Sequence, residues 1–517
     1  MKTALIFAGL LLASATALQA SELKLAAVFS DHMVLQRDKP VPVWGWAGPG
    51  EPVTVSFGGQ EKKVAADAAG KWMVKLDPLP ANAASSELQV SAASNRQSVT
   101  VKDVLVGEVW LGSGQSNMAL NVGAARDFET ERAAARLPLI RMFKEMSNAA
   151  QTPQADAKGQ WLVCSPEAVG GFSATLFFFG RELYRALGVP VGLINSSVGG
   201  TPIEAWVAGE AQSRVPELRA SLDALAQTEA VFDEVKAKAN YEKALARWQA
   251  QASRAKAAGE PQPRKPRDPL AQRSRRGGAG GLFNGKIAPL IPYAIRGTVW
   301  YQGEANSHAG KGSLYQHQLP LLVSDWRSRW GEDLPFAWVQ LPNYARASDD
   351  WMLVREAMLK TLRLPHTGMA ITVDIGEPDN IHPKNKQEVG RRLSLWALGE
   401  VYGQKVVATS GPLPVGHEAR GSDIVLSFSH AEGGLQAKGG ELKGFVVAGE
   451  DRQWKPAVAR IEGDKVVASS AEVKKPVAVR YAWAADPVCN LFNGAGIPAS
   501  PFRTDDWALP NMEQAQK

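Results

Sequence analysis

Three short loops carry the residue types that acyl transfer requires. Gly-Gln-Ser-Asn-Met at 114–118 sets Ser116 in a Gly-rich turn behind an apolar run. A hydroxyl there stands at a sheet edge, with the following backbone N–H groups facing a developing oxyanion. Serine in such a loop also serves as a helix N-cap, so this loop alone decides nothing. The second loop, at 195–206, contains Gly199 and Gly200, which let the backbone approach a ligand closely. The third, Trp-Tyr-Gln-Gly-Glu-Ala-Asn at 300–306, contains Gln302, whose side-chain amide is a candidate donor to the same oxyanion. Taken singly, each of the last two reads equally well as a turn.

A general base must come from seven histidines. His382, within Asp-Asn-Ile-His-Pro at 379–383, alone has a carboxylate three residues upstream in a loop behind a predicted strand. At that spacing Asp379 reaches Nδ1 and leaves Nε2 facing Ser116, the geometry of a Ser-His-Asp relay. His32, His308, His317, His366, His417 and His430 lack this setting. No His-Glu-x-x-His or Cys-rich pattern occurs, so the expectation is chemistry without metal or cofactor.

The elements that must hold these loops alternate between strand and helix. An apolar run at 104–111, interrupted by Gly107 and Glu108, reads as a buried parallel strand, and runs at 191–194, 298–300, 336–341 and 369–373 repeat it. Helical periodicity fills 174–187, 315–330, 351–362 and 385–400. This alternation predicts a parallel sheet covered by helices on both faces, with ligands at the strands' C-terminal ends, where all three loops fall. Before it, 25–101 alternates with period two (Val53, Val55, Phe57; Trp72, Val74, Leu76), as an antiparallel β unit does; after Gly411 short strands return.

Residues 210–260 are rich in Ala, Glu, Lys and Gln and predict two amphipathic helices. The basic, Pro- and Gly-rich stretch 261–281 reads as a flexible loop, and the whole as a solvated insertion, with an anion-binding site as the alternative. Between Arg254 and Arg276, eight Lys or Arg face only Glu260 and Asp268, which accounts for the net charge of +6. The excess is therefore local, and it argues against a nucleic-acid-binding face. The chain has 16 Trp, candidates for sugar stacking as well as for the core.

Lys2, the apolar stretch 4–13 and Ala15-Thr16-Ala17 form an export-signal pattern, and no later run is long enough to span a bilayer. The predicted division is 1–20 signal peptide, 21–102 N-terminal β domain, 103–209 and 282–404 two parts of an α/β domain, 210–281 insertion, and 405–517 C-terminal β domain. Cys164 and Cys489 are the only thiols, too far apart in sequence to pair by inspection.

Gly-Gln-Ser-Asn-Met, Trp-Tyr-Gln-Gly-Glu and Ile-His-Pro-Lys-Asn-Lys-Gln, in this order, together with 28–36 near the start, resemble the sialate O-acetylesterase family of the Ser-Gly-Asn-His hydrolase superfamily. The resemblance implies a three-layer αβα, SGNH-hydrolase-like sheet with accessory β domains and an exported carbohydrate O-acetylesterase acting on an acetylated carbohydrate. It implies Ser116 as nucleophile, His382 as base, and an oxyanion hole of Ser116, Gly199, Gly200 and Gln302. Glu304 and Asn117 take supporting roles, and Asp379 orients His382, with Asp374 or Glu377 as alternatives. Relatives that deacetylate xylan or xyloglucan leave the sugar open, and a non-catalytic carbohydrate-binding protein is the rival from another class. Met118, two after Ser116, breaks the Gly-x-Ser-x-Gly elbow and argues against an α/β-hydrolase.

Overall fold

The computed structural model describes residues 22–94 and 96–509; the export signal expected at 1–20 lies outside the described residues. Its centre is an eleven-stranded mixed sheet. The main path uses β1 Ser98–Gly114, β2 Ile140–Glu145, β3 Gly159–Val163, β4 Val191–Ser197, β5 Gly297–Tyr301, β6 Phe336–Val339 and β7 Thr367–Ala370, in the order β3-β2-β4-β1-β5-β6-β7. Every neighbouring pair is parallel except β3 with β2.

The helices used below are α1 Ser116–Ala119, α2 Ala174–Leu187, α3 Arg219–Ala230, α4 Glu234–Ala258, α5 Pro269–Arg276, α6 Tyr315–Trp330, α7 Asp350–Thr361 and α8 Lys386–Trp396. Strand alternation divides the core between the two faces. Val299 and Tyr301 of β5 share one apolar cluster with Phe178 and Leu183 of α2 and Leu393 and Trp396 of α8. Trp300 between them joins Leu322 and Trp326 of α6 and Val354 and Met358 of α7 on the other face. The strands are buried on both sides, which is why they read as continuous apolar runs rather than alternating ones.

β1 is one continuous 17-residue strand that begins among the N-terminal β strands and ends beside Ser116. The expected boundary at 102/103 thus falls inside a single element. Glu108, which interrupts the apolar run, is fully buried and accepts from Arg37 Nε at 2.5 Å and Arg296 Nε at 2.8 Å. Burial alone would raise its pKa, but the hydrogen bonds and charges of Arg296 and Arg37 outweigh burial and hold it below the usual carboxylate range.

Antiparallel strands follow the α/β region, including a four-stranded sheet of Leu413–Arg420, Asp423–Ser429, Lys465–Ser469 and Val458–Glu462. Arg355 of α7, wholly buried, joins this part to the sheet by donating to the carbonyls of Leu341, Pro342, Ala484 and Ala485. Cys164 and Cys489 are free thiols. Among the described residues, no helix is long and apolar enough to cross a membrane, and no cluster of three or more His, Cys, Asp or Glu is arranged to hold a metal ion.

Among the described residues Glu108 is the one carboxylate paired with Arg296 and the nearer of the two paired with Arg37. Glu108→Ala strands both guanidiniums at the sheet, and urea unfolding is expected to show a loss of about 3 kcal/mol. Because the folded pKa is depressed, the stabilisation from Glu108 is present above its unfolded value of about 4.5 and disappears as pH falls through the folded value. In Glu108→Ala the fall in stability across that acid range should be shallower than in wild type.

Candidate active site

The polypeptide leaves β1 through Gly114, whose φ of +133° L side chains rarely adopt. A Cβ there would lie 2.2 Å from the Tyr301 carbonyl oxygen, so only glycine lets β1 and β5 end side by side. The Gln115 N–H then donates to that carbonyl at 3.0 Å, and Ser116 opens α1. The loop after β4 comes equally close: a Cβ on Gly199 would sit 3.5 Å from Ser116 Cβ.

Ser116 Oγ lies 2.8 Å from His382 Nε2, although the two are 266 positions apart. The residue that joins their loops is Asn117. Its Nδ2 donates to Glu304 Oε1 at 2.5 Å and to the Ile381 carbonyl at 2.9 Å, while its Oδ1 accepts from Lys386 Nζ at 2.6 Å. One buried amide therefore holds the nucleophile's turn, the loop after β5, the loop carrying His382 and the start of α8. Lys386, which the sequence reading left without a role, is completely buried and also lies over the Tyr301 ring. Its place in the Ile-His-Pro-Lys-Asn-Lys stretch, four residues after His382, was the available signal.

Burial pushes the Lys386 ammonium down to about 7, outweighing the attraction of Glu304 and Glu377. Burial also raises the Glu304 carboxyl, with the Asn117 hydrogen bond and the Lys386 charge opposing only in part. Glu304 Oε2 is buried without a hydrogen-bond partner among the described residues, and Glu304 is one of the residues lining the cavity beside Ser116. Burial, then the Lys386 charge, holds the His382 imidazole below the usual histidine range.

Two expected residues are elsewhere. Asp379 is 84% exposed and pairs with Arg346 at 3.0 Å. The turn at 377–380 points Asn380 inward instead: its Oδ1 accepts the His382 N–H, and its Nδ2 donates to the His382 carbonyl and to Glu377 Oε2. Asp374 is engaged with Arg392 by two bonds of 2.6 and 2.8 Å, and Glu377 Oε1 accepts the Lys384 N–H. Among the described residues no carboxylate meets His382 Nδ1; Asn380 orients the histidine through its backbone.

Gln302 is fully buried and its amide is spent. Nε2 donates to the Thr201 carbonyl at 3.2 Å and to Asn306 Oδ1 at 2.7 Å, and Oε1 accepts from Tyr315 at 2.9 Å. The orientation is forced, because Asn306 Oδ1 also accepts the Ile203 N–H and Asn306 Nδ2 meets the Glu204 carboxylate. The amide braces the Gly199–Gly200 loop from behind rather than facing the cavity. By contrast, the N–H groups of Ser116, Gly199 and Gly200 donate no hydrogen bond among the described residues.

These groups open onto a cavity of about 810 Å³ walled by Gln115, Ser116, Gly199, Gly200, Glu304, Ala305, His308, Ile381 and His382. Its far wall belongs to the insertion. The basic stretch 261–281, expected to be a flexible loop, contains helix α5, begun by Pro269 and capped by Asp268, whose Oδ1 accepts the Leu270 and Ala271 N–H groups. Arg273 of α5 pairs with Glu229 of α3, and the Ser274 carbonyl accepts the Ala149 N–H, so the helix is docked. No Trp lines the cavity; Trp206, Trp300 and Trp326 stack edge-on in the core, 6.0 and 6.1 Å apart.

A family model described as carbohydrate esterase, sialic acid-specific acetylesterase, matches residues 106–258 and 285–398. The chain belongs to this family. The match contains every wall residue named above except those of α5. Along nearly the whole length it is 30% identical to the sialate O-acetylesterase of Rattus norvegicus, covering 93% of this chain and 94% of that one. The Homo sapiens sialate O-acetylesterase is 29% identical over 93% and 92%. A crystal structure of a carbohydrate acetylesterase from Xanthomonas citri superposes with a TM-score of 0.79 at 35% identity, covering 94% of this chain and all of that one. As a member of the family, the protein is a carboxylic ester hydrolase.

Removing the Lys386 charge should free the imidazole from one of the two influences that lower its pKa. In Lys386→Met the acid limb of the pH–kcat/KM profile is expected to move to higher pH, with kcat reduced as Asn117 loses a partner. An acid limb at the wild-type position would show that Lys386 does not act on His382.

Proposed function

We propose that this esterase removes O-acetyl groups from carbohydrates through an acetyl-Ser116 intermediate, with His382 as general base and acid. The observation that carries this reading is the 2.8 Å contact between Ser116 Oγ and His382 Nε2 at the wall of an open cavity. His382 takes the Ser116 proton as Oγ bonds to the acetyl carbon. The carbonyl π electrons move to oxygen, where the backbone N–H groups of Ser116, Gly199 and Gly200 meet the oxyanion. As the tetrahedral intermediate collapses, the sugar oxygen leaves with the proton from His382. Water, deprotonated by His382, then releases acetate and restores Ser116.

This is a Ser-His mechanism with the imidazole held by Asn380 rather than by Asp379. A depressed histidine pKa suits it, because it widens the pH range over which the base is neutral and able to accept a proton. The fold assignment that accompanies it is an SGNH-hydrolase-like αβα sheet. We further propose that the protein is exported, on the strength of the N-terminal sequence pattern at 1–20. N-terminal sequencing of the mature protein after Ala17 or Ala20 tests that step.

Ser116→Ala and His382→Ala should each lower kcat on acetyl esters by about 10³-fold or more without unfolding the protein, as measured by acetate release and circular dichroism. Asp379→Asn should stay within about threefold of wild type, whereas loss of an orienting triad carboxylate costs about 10⁴-fold. A severe Asp379→Asn defect would restore the Asp to the relay.

A further inference from the structure

Helix α5 and the residue before its cap bring three arginines, Arg267, Arg275 and Arg276, into the wall of the cavity that holds Ser116 and His382. Of these, Arg276 packs against the Gly199–Gly200 loop. A Cβ on Gly200 would lie 2.7 Å from its Nη2, and Gly199 next to it abuts Ser116. Among the described residues none of the three has an ion-pair partner, although Arg273 on the same helix has Glu229. The like charges are near enough to oppose one another: burial, then Arg267 and Arg275, depress the Arg276 pKa.

Among the described residues the acids of the same cavity form no ion pair with these arginines. Asp268 is committed to capping α5, and Glu304 is hydrogen-bonded to Asn117 with its carboxyl pushed toward the neutral form. The segment 259–284, which holds all three arginines, lies between the two stretches matched by the family model. The positive wall thus lies outside the stretches that the family model matches, docked by α5 where it faces the site.

We propose that Arg267, Arg275 and Arg276 form an anion subsite that binds the carboxylate of an acidic sugar while Ser116 takes an acetyl group from the same substrate. This rests on the esterase reading above. Guanidinium forks match planar carboxylates in geometry and charge, and a cleft lined by one sign of charge concentrates the opposite one. A cavity of about 810 Å³ has room for a saccharide in addition to the acetyl group. Unpaired arginines then find their partner in the substrate rather than in the protein.

The test compares matched pairs of acetylated sugars: O-acetylated N-acetylneuraminic acid against its C1 carboxamide, and acetylated xylo-oligosaccharides with and without a glucuronate branch. At low salt the wild-type enzyme should favour the carboxylate member of at least one pair by about tenfold or more in kcat/KM, mainly through KM. That ratio should fall toward one in Arg275→Gln/Arg276→Gln and in 0.5 M NaCl, and recover in part in Arg275→Lys/Arg276→Lys. Arg275→Gln alone, at an exposed side chain, serves if the double variant does not fold. A wild-type ratio near one for both pairs, or a preference that survives in the double variant, overturns the proposal. Failure to release acetate from any sugar or from 4-nitrophenyl acetate counts instead against the esterase reading. Calorimetric binding of the pairs to Ser116→Ala still reads the subsite in that event, with equal affinity for both members counting against it.

Discussion

The side chain of Asn117 is the interaction on which the site depends. Serine and histidine come from opposite ends of a 266-residue separation, on loops that leave different strands. A single amide has two donors and an acceptor, and here each is used on a different loop: a carboxylate, a main-chain carbonyl and an ammonium. Each such bond contributes only about 1 kcal/mol net, more where a partner is charged. Their value lies also in geometry, because a displacement of about 1 Å between nucleophile and base costs about 10²-fold in rate.

That arrangement requires ionisable groups to be buried beside the reacting atoms. Lys386 and Glu304 share Asn117 without touching each other, and burial moves both pKa values toward neutrality. Low dielectric strengthens what remains of their fields, and His382 feels the ammonium as a depression of its own pKa. A base without a carboxylate at Nδ1 and with a cation nearby is weaker than a triad histidine, but it is neutral over a wider pH range. Behind it, the amides of Gln302 and Asn306 and the carboxylate of Glu204 form a second buried network that fixes the Gly199–Gly200 loop. With every donor committed, this network supplies stiffness, and the oxyanion is left to the backbone.

Outside these networks lies a wall of different character. The hydrolase body pairs most of its buried charges, as Glu108 does with Arg37 and Arg296, whereas Arg267, Arg275 and Arg276 have no ion-pair partner among the described residues. An inserted helix is a natural carrier of such charge. It adds residues at the mouth of the cavity without altering the strands and turns that hold Ser116 and His382.

The sequence by itself determined the local features. Period-two runs gave the antiparallel units, doubly buried apolar runs gave the parallel sheet, and the bounds of Ala174–Leu187 and Tyr315–Trp330 were legible to the residue. Ser116 and His382 stood out because each sits in a short motif behind a strand. Tertiary structure alone decided what those motifs face. Asp379 has suitable spacing, yet the turn prefers Asn380 inside, since an amide can satisfy both backbone groups of His382 and a carboxylate cannot. Gln302 has the right chemistry, but Thr201 and Asn306, distant or hidden in the pattern, consume it. The basic stretch showed its charge at once, but its docking depends on Glu229 and Ala149, contacts across some 45 and 125 residues of chain. Spacing along a chain limits which groups can meet; packing from remote segments decides which of them do.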